Sequence, residues 1–311
     1  LDGYGAKLHP NTAEDKKPVS DAALQEEPGT EKDTALDSIM TEGGGDHGDD
    51  ATQPAQRDLK MPTAHDIYVQ VAENGRHELE RSARALAVSG LAGGMMMGLT
   101  ALAMSIVHAQ LGDGPVASFI AYLLYPIGFI AVIVGRAQLF TENTLFPVAL
   151  VLAERKHVWK TLRLWIIVLA GNLTGAFFFA LLAVRTQALK PEYVEAMSKI
   201  GVEAVNVSAG HAFWSAVIGG WMIALVAWLV SGSHSVTGSV MLIWLLAFVV
   251  GIGHFAHSIA TSGEILAAVL NHAATFGAYL QWLWPAVLGN ICGGVLLVTL
   301  LEYGQVKSGG D

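Results

Sequence analysis

Apolar residues in this chain gather into six long runs, at about residues 85–109, 116–153, 162–185, 210–231, 237–274 and 280–303. Each is long enough to cross a hydrocarbon layer about 30 Å thick as a helix. The second and fifth are too long for one simple crossing, and polar residues interrupt both. The second reads IAVIVG, then RAQLFTENT, then LFPVALVLA; the fifth reads WLLAFVVGIG, then HFAHSIATSGE, then ILAAVL. Both are expected to be broken helices, because unwound backbone at membrane depth survives only where it lines a cavity or is covered by protein. Interrupted segments in corresponding positions of two halves point to a transport site near the midplane.

A second pattern supports two related halves. Gly171-Asn172-Leu173-Thr174-Gly175 in the third run returns as Gly289-Asn290-Ile291-Cys292-Gly293 in the sixth, 118 residues later. Three crossings per half is an odd number, so the halves are inverted relative to each other. The predicted fold is an all-α integral membrane protein with six transmembrane helices in a 3+3 inverted repeat, the second and fifth helices being broken.

Residues 1–65 lack apolar periodicity and contain runs such as TEGGGDHGDD. They cannot bury enough surface to offset their ordering entropy, and are expected to form a disordered acidic tail. Residues 66–84 place charges at helical spacing ahead of the first run, which suits an amphipathic cytoplasmic helix leading into lipid. The pore domain is expected over 85–305, with a short tail at 306–311.

Composition narrows the function. The chain is 52% hydrophobic and only 14% charged, against roughly 25% charged in soluble proteins, which argues against an ordinary soluble enzyme. Residues 1–60 hold 14 Asp/Glu and 6 Lys/Arg, so nearly all of the net charge of −9 sits in the tail. No clustered basic face exists for nucleic acid. The single cysteine, Cys292, excludes an internal disulfide framework. With both termini on the cytoplasmic side, the inner flanks carry Arg76, Arg81, Arg84, Arg155, Lys156, Lys160, Arg163 and Lys307, against Arg185, Lys190 and Lys199 outside. The positive-inside bias favours that orientation.

Four stretches now become recognisable together: Leu139-Phe140-Thr141-Glu142-Asn143, Gly171-Asn172, His257-Ser258, and Gly289-Asn290-Ile291-Cys292-Gly293-Gly294. In this order and spacing they resemble the formate/nitrite transporter family over about residues 76–305. The sequence is most similar to a bacterial inner-membrane branch carrying ELER, QLFTENT, RLW and GNICGG. The resemblance implies an aquaporin-like protomer assembled as a homopentamer, with a pore through each protomer for small monovalent anions of weak acids. It also implies that the Leu139-Phe140-Thr141 and His257 loops meet at the pore centre, with Leu139, Phe140 and Phe129 as apolar constrictions. The aromatic expected in span five is Val250 here, with Phe248 near enough to substitute.

The chemistry expected of such a pore follows from the cost of burying charge. An anion at the bilayer centre costs from about 3 to more than 10 kcal/mol, whereas the protonated acid avoids most of it. A titratable donor between apolar rings would favour the acid, and His257 is the candidate. Thr141 can hydrogen-bond the permeant, and Asn172 and Asn290 can orient the two broken loops. No cofactor is implied.

The chain also departs from the family pattern. The family's lysine ahead of the fourth span is missing from Asn206-Val207-Ser208-Ala209-Gly210-His211, leaving His211 as a weaker source of positive field. Glu142 and Glu264 are acids near an anion path. Arg136, the only basic residue deep in a span, is expected to bridge to one of them. Two other functions remain open. The added acids suit a pore for a neutral or cationic solute, and His254, His257 and Glu264 form an unspecific ligand set for an intramembrane metal enzyme.

Overall fold

The computed structural model describes residues 61–309, and all regular structure among them is helical. The tail expected over 1–65 lies almost wholly outside the described residues. The first helix, α1 (Ala64–Glu80), starts where Thr63 and Asp66 cap each other: Thr63 N–H donates to the Asp66 carboxylate at 2.8 Å, and Asp66 N–H to Thr63 Oγ1 at 3.2 Å. Those bonds from Thr63 hold the Asp66 carboxyl below its usual range. Tyr68, Val71, Ala72 and Leu79 are buried as α1 packs on α5 (Phe146–Glu154). The Tyr68 hydroxyl donates to Ala149 O at 2.8 Å, and Arg76 pairs with Glu154. The helix expected over 66–84 is therefore two: backbone at Arg81 and Ser82 is extended, and Ser82 caps α2 (Ala83–Leu111). Because protein covers its apolar face, α1 is docked rather than lying free at the lipid surface.

Span two is α3 (Pro115–Leu124), a kink at Tyr125–Pro126, and α4 (Ile127–Val134). It then unwinds through a 3-10 turn, Glu142–Thr144, and resumes as α5. The third span is α6 (Val158–Arg185), and the fourth is α8 (Ala209–Ser231). Between them lies α7 (Pro191–Val205), a helix the apolar runs do not reveal because it carries Glu192, Glu195, Lys199 and Glu203. Span five is α9 (Val236–Ile252) and α10 (Ala260–Leu270). Its break is shorter than expected, and Thr261, Ser262, Gly263 and Glu264 are helical. Span six is α11 (Phe276–Gly294), a π turn (Val295–Thr299) and α12 (Leu300–Ser308), so helix extends into the expected carboxy-terminal tail. Among the described residues, five helical stretches are long and apolar enough to cross a membrane, that of α3 and α4 being kinked, and α9 and α10 are shorter apolar helices.

The two halves repeat their packing. The α2–α6 pair in the first half corresponds to α8–α11 in the second. In each pair a glycine lets backbones touch: a Cβ on Gly94 would collide with the Asn172 main chain, and one on Gly220 with that of Asn290. Close approach at these points brings each asparagine within reach of the neighbouring broken segment.

Candidate functional site

The asparagines make the same hydrogen bonds in both halves. Asn172 Oδ1 accepts Phe140 N–H at 2.8 Å, while its Nδ2 donates to Gly90 O at 2.7 Å and Gln138 O at 2.8 Å. Asn290 Oδ1 accepts Ser258 N–H at 2.8 Å, and its Nδ2 donates to Ala216 O at 2.8 Å and Ala256 O at 3.0 Å. Serines immediately preceding Gly90 and Ala216 complete each clamp, with Gln138 N–H on Ser89 Oγ and Ala256 N–H on Ser215 Oγ. Backbone freed by the breaks is thus satisfied by side chains of the unbroken helices. Both asparagines are fully buried.

The clamped loops meet at one point, where the Thr141 hydroxyl lies 2.8 Å from His257 Nε2. On the other side of the ring, Ala260 N–H donates to His257 Nδ1 at 3.1 Å. A nitrogen that accepts carries no proton, so the proton is on Nε2 and is donated to Thr141 Oγ1. The threonine's own hydroxyl proton is left for a third partner. Phe129 stands edge-on to the imidazole with ring centroids 4.9 Å apart, and Phe140 packs against Trp165. Leu139, Phe140, Thr141, Phe129, Val250 and His257 are all at most 1% exposed. Phe248 does not replace the missing aromatic: it stacks on Trp244 and meets Phe119. The Ser258 hydroxyl, buried beside His257, has no partner among the described residues.

Two cavities approach this junction from opposite ends of α8. One, of about 680 Å³, lies under α1 and is lined by Glu78, Arg81, Arg136, Gln138, Glu142 and His234, among others. The other, of about 420 Å³, is bordered by α7 and includes Lys199, His211, His254, Val250, Thr261 and Glu264. Leu139, Phe140, Thr141, Phe129 and His257 line neither, so the junction is a closed partition between two open mouths.

The expected Arg136 bridge is absent. Among the described residues no ion pair within 4.0 Å joins Arg136 to Glu142 or Glu264. The two carboxylates face different cavities, and Arg136 is exposed to the one under α1. Nor does a metal site assemble: among the described residues no group of three or more His, Cys, Asp or Glu could hold an ion. His254 instead bonds Tyr122 Oη through Nε2 at 3.0 Å. The basic residue missing before the fourth span has a neighbour in Lys199 on α7, which sequence reading leaves in a flank. Its hydrogen bond with Asp113 holds that carboxyl low and raises the Lys199 ammonium. The Pro191-Glu192 pair, a helix-start signal, could have revealed α7 and with it Lys199.

The sequence model of the formate/nitrite transporter family matches residues 65–304. The chain belongs to the formate/nitrite transporter family. It is 32% identical over 245 residues to the inner membrane protein YfdC of Escherichia coli (strain K12), covering 78% of each chain. It is 31% identical to the uncharacterized transporter YrhG of Bacillus subtilis (strain 168), covering 76% of this chain and 91% of that protein. Two solved structures share the fold at 21% identity: an FNT family ion channel, with a TM-score of 0.71 over 77% of this chain and 98% of that one, and a pentameric formate channel with formate bound, with a TM-score of 0.64 over 72% and 97%. Family membership makes the chain a transport protein rather than an enzyme.

Proposed function

We propose that the chain is a channel for small monovalent weak-acid anions such as formate or nitrite, carried across the partition together with a proton as the neutral acid. The observation carrying this reading is the Thr141–His257 contact, set in apolar side chains between two cavities. An ion would have to shed its water there with only neutral donors to replace it. The neutral acid needs only hydrogen bonds, which the free Thr141 proton and the Ser258 hydroxyl can supply. His257 acts as a neutral donor: to become imidazolium it would first have to give up the Ala260 N–H bond. Leu139, Phe140, Phe129 and Val250 keep the passage narrow, and Asn172 and Asn290 hold the loops. The matching formate channel's description supports assembly as a homopentamer. YfdC's description and the distribution of basic residues support a bacterial inner membrane with both termini cytoplasmic.

A second reading, a pore for a cationic or neutral solute, draws on the buried carboxylates Glu142 and Glu264 facing the cavities. Stopped-flow uptake into proteoliposomes separates the two. Formate and nitrite flux should rise as external pH falls, while ammonium and glycerol pass at the rate of protein-free liposomes. Flux of ammonium or glycerol with none of either acid would reject the weak-acid reading.

A further inference from the structure

The two segment breaks begin with the same backbone manoeuvre. In α4, Ala137 N–H bonds Val132 O at 3.0 Å and Arg136 N–H bonds Ile133 O; in α9, Phe255 N–H bonds Val250 O at 3.0 Å and His254 N–H bonds Gly251 O. Arg136 (φ 56) and His254 (φ 53), 118 residues apart like the asparagines, occupy the left-handed position that ends each helix. Helices usually place glycine there. Here the glycines, Gly135 and Gly253, stand one residue early with ordinary right-handed geometry. Both halves thus put a nitrogen-bearing side chain in a conformation that such residues seldom adopt, and each lines the cavity on its own side of the partition.

We infer that Arg136 is an anion-docking residue at the mouth under α1, and that His254 is its hydrogen-bonding counterpart at the opposite mouth. The inference rests on the weak-acid anion reading. A guanidinium with no ion pair among the described residues, exposed to a cavity, offers a planar fork suited to a carboxylate or nitrite. Its cavity also holds His77, Glu78, Arg81, Glu142 and His234, of which Glu78 and Arg81 pair with each other at 3.0 Å. Glu142 is the remaining acid there and, when ionised, weakens the site. At the other mouth, His254 meets Tyr122 and shares its cavity with His108, His211, Glu203 and Glu264, while Asp113 and Lys199 pair with each other. The mouths are therefore unequal: one offers a fixed, planar guanidinium fork, the other an imidazole already hydrogen-bonded to Tyr122.

Formate flux into right-side-out and inverted membrane vesicles, at varied formate concentration, tests this. Arg136→Gln should raise the half-saturating concentration about tenfold for entry at the α1 mouth alone, and Arg136→Lys should restore most of it. Glu142→Gln should leave docking there unchanged or tighter. His254→Arg should lower the half-saturating concentration at the other mouth. Equal effects of Gln and Lys at 136, no effect of either, weakened docking in Glu142→Gln, or an unaltered half-saturating concentration at the far mouth in His254→Arg would overturn the inference. Wild-type vesicles that move neither formate nor nitrite would instead reject the weak-acid reading itself.

Discussion

Asn290→Leu is expected to yield little or no assembled protein. Leucine keeps the number and branching of asparagine's side-chain heavy atoms but neither accepts from Ser258 N–H nor donates to Ala216 O and Ala256 O. All three groups sit where water cannot replace the lost partner. A buried polar group stripped of its partner costs roughly 1–3 kcal/mol. Three together remove a large part of a folded protein's margin of about 5–15 kcal/mol. Size-exclusion chromatography in detergent and thermal unfolding measure the effect. Asn290→Asp, which keeps the acceptor for Ser258 N–H, should be less damaging to assembly than leucine. A leucine variant as stable as the parent would show that the clamp does not hold the second break.

His257→Phe is expected to cut weak-acid flux about a hundredfold without dismantling the protein. Phenylalanine keeps the ring against Phe129, but the N–H to Thr141 and the acceptor for Ala260 N–H vanish. Thr141 then has no fixed donor, and the permeant loses an oriented partner worth about 2–3 kcal/mol, which corresponds to the stated factor. His257→Asn retains a donor and an acceptor, so its flux should exceed that of the phenylalanine variant. That flux should still rise as external pH falls, because the proton travels with the substrate rather than coming from the ring. Stopped-flow measurements on both variants check this. A flat pH profile in the asparagine variant would mean that titration of the imidazole supplies the proton.

Much of the architecture was legible because hydrophobic runs and their interruptions follow directly from the solvent each residue must face. The repeated Gly-Asn pattern marked the clamps because a buried amide has to find partners, which the backbone of a broken segment and a carbonyl of a neighbouring helix supply here. α7 escaped notice because its charged face breaks the apolar pattern, and with it went the link between Lys199 and the far cavity. A lone arginine and two acids in adjoining segments suggest pairing; Glu264 faces the other cavity, and Glu142, which shares the cavity of Arg136, stays out of ion-pair contact with it, neither of which the sequence shows. The protonation pattern of His257 was equally out of reach, since it depends on Ala260 N–H, placed by the restart of a helix.

The central claim is that the substrate crosses the Thr141–His257 partition uncharged. Its most direct test records formate entry, internal pH and membrane current together in one proteoliposome preparation. One proton is expected to enter with each formate, with no net current. Formate entry accompanied by net entry of negative charge, without acidification inside, would contradict it.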